Sequence, residues 1–182
     1  LKNEIEEIEK ALGKNIRNNI KIAKNCHIIT EELIQEDILN DKIGSTKSGI
    51  GPTYRNKYNR NGILAYSVGE KIHDCEIIDT YEELNKATIK ILFEGAQGFM
   101  LDIDYGHYPY VTSSQCHIGM VVSSGISFKK INNVYGIAKI YNTYVGKMKF
   151  EPIESSEDYN TIQQLANMGS EYGSTTGRKR QC

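Results

Sequence analysis

The stretch ILFEGAQGFMLDIDYGHYPYVTSSQ, residues Ile91–Gln115, joins a short apolar run to a dense series of turn-forming and polar residues. The run Ile91–Phe93 predicts a buried strand. It is followed by Glu94–Gly98, EGAQG, whose two glycines permit a tight turn and bring Gln97 to the end of the strand. Open α/β sheets bind their ligands at the carboxyl ends of strands. Because the three hydroxyls of Thr112–Ser114 follow, and can hold a phosphate, we expect a small-molecule site in this stretch.

The rest of the chain alternates helical and strand-like patterns, and a helix precedes the Ile91 strand. This order is typical of α/β architecture. We therefore predict a central, mostly parallel sheet with flanking helices. Helices are expected over residues 3–12, after Thr30, after Pro52, at a capping box in Thr80–Glu83, as a buried turn in Gly119–Gly125, and from Tyr159 to before Gly169; further strands are expected at Ile20–Ile22, His27–Ile29 and Val134–Tyr141.

The composition is that of a soluble globular protein. Hydrophobic residues make up 39% and charged residues 25% of the 182 residues, and the formal net charge is -1. No apolar run approaches the roughly 20 residues of a membrane helix, and a nearly neutral chain has no overall field that favours nucleic acid. The four cysteines are scattered without a C-x-x-C pair. Free thiols and a cytoplasmic location are therefore expected.

A loop rich in glycine, hydroxyls and cations occupies Gly44–Arg60. Exposed backbone N–H groups, hydroxyl donors and cations together are the components of an anion site. The spacing is not the G-x-x-x-x-G-K-[ST] of a P-loop, so nucleoside triphosphate binding by that device is not indicated. A solvated surface loop has the same composition, and the residues alone leave both interpretations open.

Other polar groups also have both a chemical and a structural interpretation. The loop Gly173–Arg180 pairs hydroxyls with Arg178 and Arg180, which suits recognition of a carboxylate or phosphate; a surface basic cluster is the alternative. Asp102 and Asp104 can bind Mg²⁺ or share acid–base work, or they can cap turns and pair with nearby cations. The four histidines form no ligand set, and the chain has no G-x-S-x-G elbow of a hydrolase.

Four motifs, in matching order, resemble adenylosuccinate synthetase. They are GSTKSGIGPTYRNKYNR, EGAQG, LDIDYGHYPYVTSS and STTGRKR. Within the first, Gly49–Arg60 matches the family's signature of Gly-Ile-Gly-Pro-x-Tyr, then Lys, then Arg, at every fixed position. The resemblance implies a GTP-dependent ligase that joins inosine monophosphate (IMP) to L-aspartate in purine (AMP) biosynthesis, with Mg²⁺ as cofactor. In the family the purine 6-oxygen is phosphorylated first, and the aspartate amine then displaces that phosphate.

The resemblance also implies roles for individual residues. Lys57 and Gln97 correspond to residues of the catalytic site, and Gln97 contacts the purine base. Arg60 reaches the IMP site of the partner subunit, which makes the family's active enzyme a homodimer. The IMP site further includes the phosphate-binding hydroxyls of Thr46 and Thr112, then Val145 near the ribose, and Arg178. The loop that closes on aspartate comprises Ser174, Thr175, Thr176, Gly177, Arg178, Lys179 and Arg180, and Arg180 also contacts GTP.

The chain departs from the family's pattern in several places. The family's phosphate loop and catalytic Asp and His lie upstream of Leu1, and its guanine-binding segments lie beyond Cys182. The segment Arg60–Ile91 is shorter than in the family, and Tyr144 stands where the family usually has Arg. We therefore expect residues 1–182 to be the central part of a single adenylosuccinate synthetase domain, inactive alone and with Mg²⁺ ligands outside this chain. The alternative is an inactive truncated paralogue that acts as a nucleotide-binding or dimerisation module.

Overall fold

The computed structural model of the chain describes residues 1–40, 42–149, 156–169, 171–173 and 177–182. The α-helices are α1 (Lys2–Leu12), α2 (Glu31–Leu39), α3 (Ile50–Tyr58), α4 (Thr80–Lys86), α5 (Gly119–Ser123) and α6 (Ser156–Met168). The strands are β1 (Lys21–Ala23), β2 (Lys71–Ile72) and β3 (Cys75–Ile78). Along the described residues, the short strands all lie between α1 and α4, and only helices and turns follow. Short 3-10 turns lie at Arg17–Asn19, Ala65–Ser67, Phe99–Leu101 and Phe128–Lys130.

The three strands form one small mixed sheet in the order β1–β3–β2. β1 is parallel to β3, and β2 is antiparallel to it, with Ile72 opposite Cys75. The hairpin between β2 and β3 turns on His73 and Asp74, whose φ angles are 52° and 64°. Two consecutive residues with positive φ form the tight turn that matches the twist of paired strands. The hairpin therefore leads into the central strand at Cys75, which is 0% exposed.

Helix α1 forms where it was predicted, but its apolar stripe is only partly buried, because Ile8 and Leu12 are 41% and 56% exposed. Its Ile5 side chain is only 2% exposed. Gly13 ends the helix with a φ angle of 63°, a conformation that glycine adopts without steric cost. After that turn, the Arg17 guanidinium bonds back to the Glu9 carboxylate, with Nη2 3.0 Å from Oε2. The ion pair links the segment before β1 back to α1.

Helices α2 and α4 begin close to their predicted positions, with one correction. Thr30 occupies the N-cap position of α2, as expected, but its side chain makes no capping hydrogen bond. The capping box predicted at Thr80 is wrong, because Asp79 is the N-cap residue of α4. Its Oδ1 accepts the backbone N–H groups of Tyr81 at 3.0 Å and Glu82 at 3.2 Å. A carboxylate at this position satisfies two N–H groups that would otherwise lack partners.

The strands predicted at Ile91–Phe93 and Val134–Tyr141 do not form. Neither segment pairs with a strand in the part of the chain that the structure describes. Their apolar side chains are exposed, to 88% at Leu92 and 96% at Ile137. Strand structure requires a neighbour that exchanges backbone hydrogen bonds. An apolar run alone therefore did not suffice to make either segment a buried strand.

Four further predicted elements agree with the structure to different degrees. The strand predicted at Ile20–Ile22 is confirmed as β1, shifted by one residue, and α6 ends before Gly169 as predicted. The strand predicted at His27–Ile29 is wrong, because it is reduced to one antiparallel bridge from His27 to Leu64. Helix α5 forms where a buried helical turn was expected, but none of its residues is buried.

The buried core of the described residues is small and contains three polar side chains. Its apolar members are Ile5, Ala65, Cys75, Val111, Ile126 and Ala166. Its polar members are Thr53, Asp102 and Glu171. Buried polar groups require hydrogen-bond partners, and all three have them. Among the described residues, no helix combines the length and apolar character needed to cross a membrane.

Candidate active site

The loop between α2 and α3, residues 42–49, is shaped by the carboxylate of Asp37. Asp37 Oδ1 accepts the hydroxyl of Ser45 at 3.0 Å, and Oδ2 accepts the N–H of Gly49 at 2.9 Å. Ser45 Oγ also accepts the N–H of Lys47 at 3.1 Å. Gly44, Lys47 and Gly49 have φ angles of 78°, 57° and 77°. Two of these three left-handed positions are thus occupied by the residue that tolerates them best.

Thr46 lies in the middle of this loop, next to the start of α3. Its Oγ1 accepts a hydrogen bond from Ser48 Oγ at 3.1 Å. Helix α3 begins at Ile50, and its N-terminus contributes a partial positive charge. Inside the helix, the buried Thr53 hydroxyl donates to the Gly49 carbonyl at 2.7 Å. Backbone N–H groups, hydroxyls and a helix N-terminus together can hold an anionic group.

Arg178 connects this loop to the C-terminal segment. Its Nη2 donates to the carbonyl oxygens of Gly44 at 2.9 Å and Ser45 at 2.7 Å. A Cβ built on Gly44 would lie 3.0 Å from Lys147 Cγ and 3.3 Å from Arg178 Nη1. A side chain at position 44 would crowd both neighbours, and the φ angle of 78° also favours glycine there. Two segments predicted separately to bind anions are in direct contact.

In the C-terminal segment, residues 171–173 and 177–180 pair with each other as the two arms of a hairpin. Gly173 N–H donates to the Arg178 carbonyl and Gly177 N–H to the Gly173 carbonyl, both at 2.8 Å. Tyr172 and Lys179 form an antiparallel bridge. Lys179 is exposed. The predicted aspartate-loop residues Ser174, Thr175 and Thr176 lie outside the described residues.

Glu171, at the base of this hairpin, is a buried carboxylate surrounded by cations. Lys139 Nζ donates to its Oε1 at 2.6 Å, Tyr141 Oη donates to the same oxygen at 3.0 Å, and Arg180 Nη1 lies 3.1 Å from Oε2. The bond from Lys139 holds the pKa of Glu171 below its ordinary value, against the effect of burial, and Tyr141 and Arg180 act in the same direction. Arg180 is therefore part of an ion-pair network in this structure.

Asp102 organises the turn that follows the EGAQG motif. Its Oδ1 accepts the N–H groups of Asp104 at 2.9 Å and Tyr105 at 3.1 Å, and Oδ2 accepts that of Cys116. Burial acts to raise the pKa of Asp102, but the three backbone donors outweigh it and hold the pKa below its ordinary value. His117 Nε2 is 4.0 Å from Oδ2. Of the two interpretations of Asp102, the structure supports the turn cap.

Gln97 and Thr112 lie on either side of this turn. Gln97 is exposed and has a φ angle of 68°, which costs a residue with a side chain more than it costs glycine. Such strain is found disproportionately at functional sites. Thr112 N–H donates to the Leu101 carbonyl at 2.8 Å. A Cβ built on Gly51 would lie 3.6 Å from Ser113 Oγ, so the hydroxyl series passes beside helix α3.

Lys57 and Arg60 lie at the far end of α3, and both are exposed. Lys57 Nζ lies over the rings of Tyr54 and Tyr58, at 5.3 and 6.0 Å from their centres. Arg60 follows the helix with a φ angle of 62°. Neither side chain approaches the 42–49 loop in a hydrogen bond or ion pair made by the described residues.

Val145 lies where the 143–147 segment joins the site. Its neighbour Tyr144 forms an antiparallel bridge with Gln181, and Lys147 N–H donates to the Ile43 carbonyl at 3.0 Å. Val145 is thus carried by a segment that contacts both the 42–49 loop and the C-terminal hairpin. The structure brings together the segments that carry Thr46, Val145 and Arg178, whereas no described contact links Gln97, Lys57 or Arg60 to these segments.

Comparison with known families gives one consistent result. The family model of adenylosuccinate synthetase matches residues 1–73 and 65–182. The chain belongs to the adenylosuccinate synthetase family. The two matched segments overlap at residues 65–73, within Arg60–Ile91, the region expected to be shorter than in this family. In the structure, β2 and its two-residue turn lead directly from there into β3.

Individual adenylosuccinate synthetases show the extent of the similarity. The chain is 36% identical to that of Thermodesulfovibrio yellowstonii over 93% of its own length and 51% of the relative's. It is 34% identical to that of Scheffersomyces stipitis, over 98% of its length and 53% of the relative's. The solved structure of fully ligated adenylosuccinate synthetase from Plasmodium falciparum matches with a TM-score of 0.83 and 30% identity, over 100% of this chain and 54% of that one. The chain therefore spans about half the length of these relatives, and its α/β fold is confirmed as part of the adenylosuccinate synthetase fold.

Two residues with organising roles were not identified from the sequence. Asp37 lies in an acidic helix with ordinary polar spacing, and Glu171 precedes the STTGRKR motif. Neither belongs to a pattern that distinguishes it from other surface carboxylates. Each becomes distinct only because a partner distant in sequence reaches it, Gly49 in one case and Lys139 in the other.

Proposed function

We propose that this chain forms the IMP and L-aspartate side of an adenylosuccinate synthase, a GTP-dependent carbon–nitrogen ligase of AMP biosynthesis. Family membership supports the reaction class. The observation that carries the proposal is the pair of bonds from Arg178 to the Gly44 and Ser45 carbonyls. They join the phosphate-binding loop and the aspartate loop that the family resemblance identifies separately. The alternative of an inactive paralogue is not favoured by the comparisons.

In this proposal the 42–49 loop binds the 5′-phosphate of IMP. Thr46 supplies a hydroxyl, and the N-terminus of α3 supplies partial positive charge. Thr112 adds a second hydroxyl from the segment beside α3, and Val145 lies against the ribose. Gln97 recognises the purine, because its amide offers both a donor and an acceptor to the base edge.

The C-terminal hairpin would bind aspartate. Its residues Ser174 to Arg180 combine hydroxyl donors with guanidinium groups, which pair with a carboxylate through two parallel hydrogen bonds. Arg178 contacts IMP as well, from its position against the 42–49 loop. Arg180 contacts GTP, and this role requires it to exchange or share the Glu171 carboxylate that it pairs with here.

The active form in this proposal is a homodimer. Arg60, exposed at the end of α3, reaches the IMP site of a partner subunit in a homodimer, and Lys57 serves the catalytic site near it. Residues 1–182 form the central part of a single domain, act in the cytoplasm, and do not turn over substrate alone. Neither nucleic acid nor a membrane is a partner.

The described residues do not fit a Mg²⁺ site. Asp102 directs both carboxylate oxygens to backbone N–H groups. Within the described ranges, no group of three or more His, Cys, Asp or Glu side chains is placed to hold a metal ion. We therefore derive no step through Mg²⁺ in this chain.

Calorimetric titration of the purified chain tests the proposal. IMP should bind more tightly than inosine, because only IMP carries the phosphate that the 42–49 loop recognises. Thr46→Val should reduce that preference by about tenfold, the effect of losing one hydrogen bond to a charged group. Equal binding of IMP and inosine by the unmodified chain would overturn the assignment.

A further inference from the structure

Asp37 controls the conformation of the 42–49 loop on both sides of Thr46. Before Thr46, its Oδ1 accepts the Ser45 hydroxyl at 3.0 Å. The Ser45 hydroxyl oxygen in turn accepts the N–H of Lys47 at 3.1 Å. Asp37 therefore also holds the backbone at Lys47, indirectly, through Ser45. Beyond it, Oδ2 accepts the N–H of Gly49 at 2.9 Å.

These bonds stabilise backbone conformations that are otherwise unfavourable. Lys47 has a φ angle of 57°, in the left-handed region that is sterically disfavoured for a residue with a side chain. Gly49, at 77°, is the N-cap residue of helix α3. A Cβ built on it would lie 2.7 Å from Ile29 Cγ2, so the packing confines the turn there. A carboxylate is suited to this role, since it accepts several hydrogen bonds and donates none.

We propose that Asp37 is a positioning residue for phosphate binding. It holds Ser45, Lys47 and Gly49 so that Thr46 and the loop N–H groups other than those of Lys47 and Gly49 converge on one anion. The inference rests on the proposed function, which supplies the IMP phosphate as the ligand. Asp37 itself does not contact the phosphate. Its negative charge opposes an anion nearby, so its benefit comes from its hydrogen bonds and not from its charge.

Two substitutions separate these effects. Asp37→Ala removes both bonds and should lower the affinity ratio of IMP to inosine by about tenfold, as expected for loss of support from one charged hydrogen-bonding group. Asp37→Asn keeps an acceptor for the Gly49 N–H, and its amide can donate to Ser45 Oγ. The affinity ratio of IMP to inosine in the Asn variant should therefore stay within about threefold of that of the unmodified chain. A small decrease is expected because the hydrogen bonds of a neutral amide are weaker than those of a carboxylate.

Glu36→Ala is the matched control. Glu36 is adjacent on α2 and pairs with Arg55 of α3 through Oε2 at 2.9 Å, but it makes no described hydrogen bond to the 42–49 loop. The Glu36→Ala substitution should therefore weaken the contact between α2 and α3 without changing the affinity ratio of IMP to inosine. A loss of the ratio in Glu36→Ala equal to that in Asp37→Ala would overturn the proposal, because general loosening of the helices would then explain both.

Amide hydrogen exchange at Gly49 separates failure of this inference from failure of the proposed function. Exchange should accelerate in Asp37→Ala and stay close to the unmodified chain in Asp37→Asn and Glu36→Ala. Suppose that the unmodified chain prefers IMP, and that Asp37→Ala changes neither the affinity ratio of IMP to inosine nor the exchange rate at Gly49. This result would overturn the role of Asp37 alone. Suppose instead that the unmodified chain does not prefer IMP to inosine, while exchange at Gly49 still depends on Asp37. This result would overturn the proposed function, because the 42–49 loop would then not bind the phosphate.

Discussion

Arg180 and Glu171 are joined by two contacts. The Arg180 N–H donates to the Glu171 carbonyl at 2.9 Å, and Arg180 Nη1 lies 3.1 Å from Glu171 Oε2. The first contact belongs to the hairpin backbone and the second to the ion-pair network of Lys139 and Tyr141. The arginine proposed to contact GTP is therefore positioned by a carboxylate of its own loop.

Glu171→Gln should destabilise the chain. The substitution keeps the size of the side chain but removes the charge that Lys139 and Arg180 share. We expect a decrease in the free energy of unfolding of about 1.5 kcal/mol, the low end for hydrogen bonds to charged groups, because the Lys139 side chain is 45% exposed and partly screened by water. Urea denaturation measures the change. Glu7→Gln, on the exposed face of α1, is the control, and equal stability of both variants would contradict the prediction.

Stability should fall in acid partly through Asp102. The folded pKa of Asp102 is depressed, so its contribution is fully present above the unfolded value of about 3.9 and is lost as pH falls through the lower folded pKa. Asp102→Asn should flatten the decrease in the free energy of unfolding over that acid range. Asp104→Asn, which changes an exposed carboxylate two residues away, should keep the steeper dependence. Parallel pH profiles for the two variants would show that Asp102 does not contribute in this way.

Core and unpaired apolar residues should respond differently to truncation. Ile5→Ala removes a side chain that is 2% exposed and should cost about 2–5 kcal/mol of unfolding free energy. Ile137→Ala, in a segment predicted from sequence to be a buried strand, changes a side chain that is 96% exposed. It should change stability by less than about 0.5 kcal/mol. A cost at Ile137 similar to that at Ile5 would mean that residues 134–141 are buried in solution.

Gln97→Gly should separate stability from binding. Glycine relieves the left-handed strain at Gln97, whose φ angle is 68°, so the free energy of unfolding should stay the same or rise by up to about 1 kcal/mol. Removal of the amide should weaken IMP binding by about tenfold, if Gln97 recognises the purine. Thermal denaturation and calorimetric titration give the two quantities. Stability lost with IMP affinity unchanged would assign Gln97 a structural role instead.

Arg60→Leu tests the proposed contribution across a dimer. The side chain is exposed within one chain, so folding should be unaffected. IMP affinity should fall by about tenfold, and only at chain concentrations where sedimentation shows a dimer. Mixing Arg60→Leu with Thr46→Val chains should restore one intact site per mixed dimer. An equal loss in monomer and dimer would place Arg60 in its own site.

Local patterns in the sequence were sufficient to predict several elements and the family. The spacing of Ile5 and Ile8 predicted α1, Thr30 predicted the start of α2, and the Gly49–Arg60 signature led to adenylosuccinate synthetase. Helices can be predicted in this way because their hydrogen bonds and caps come from residues close in sequence. The composition of Gly44–Arg60 and Gly173–Arg180 suited anion binding, but it suited solvated surface loops equally well.

Contacts between distant residues were decided only by the tertiary structure. The apolar runs at Ile91–Phe93 and Val134–Tyr141 have strand-like sequences, but strand formation depends on a neighbouring backbone that no local pattern specifies. The roles of Asp37 and Glu171 depend on Gly49 and Lys139, which reach them across 12 and 32 residues. Arg178 meets Ser45 across 133 residues. The sequence by itself determined which residues can bind anions, and folding decided which of them meet, because charge and hydrogen-bonding capacity belong to a residue whereas proximity belongs to the whole chain.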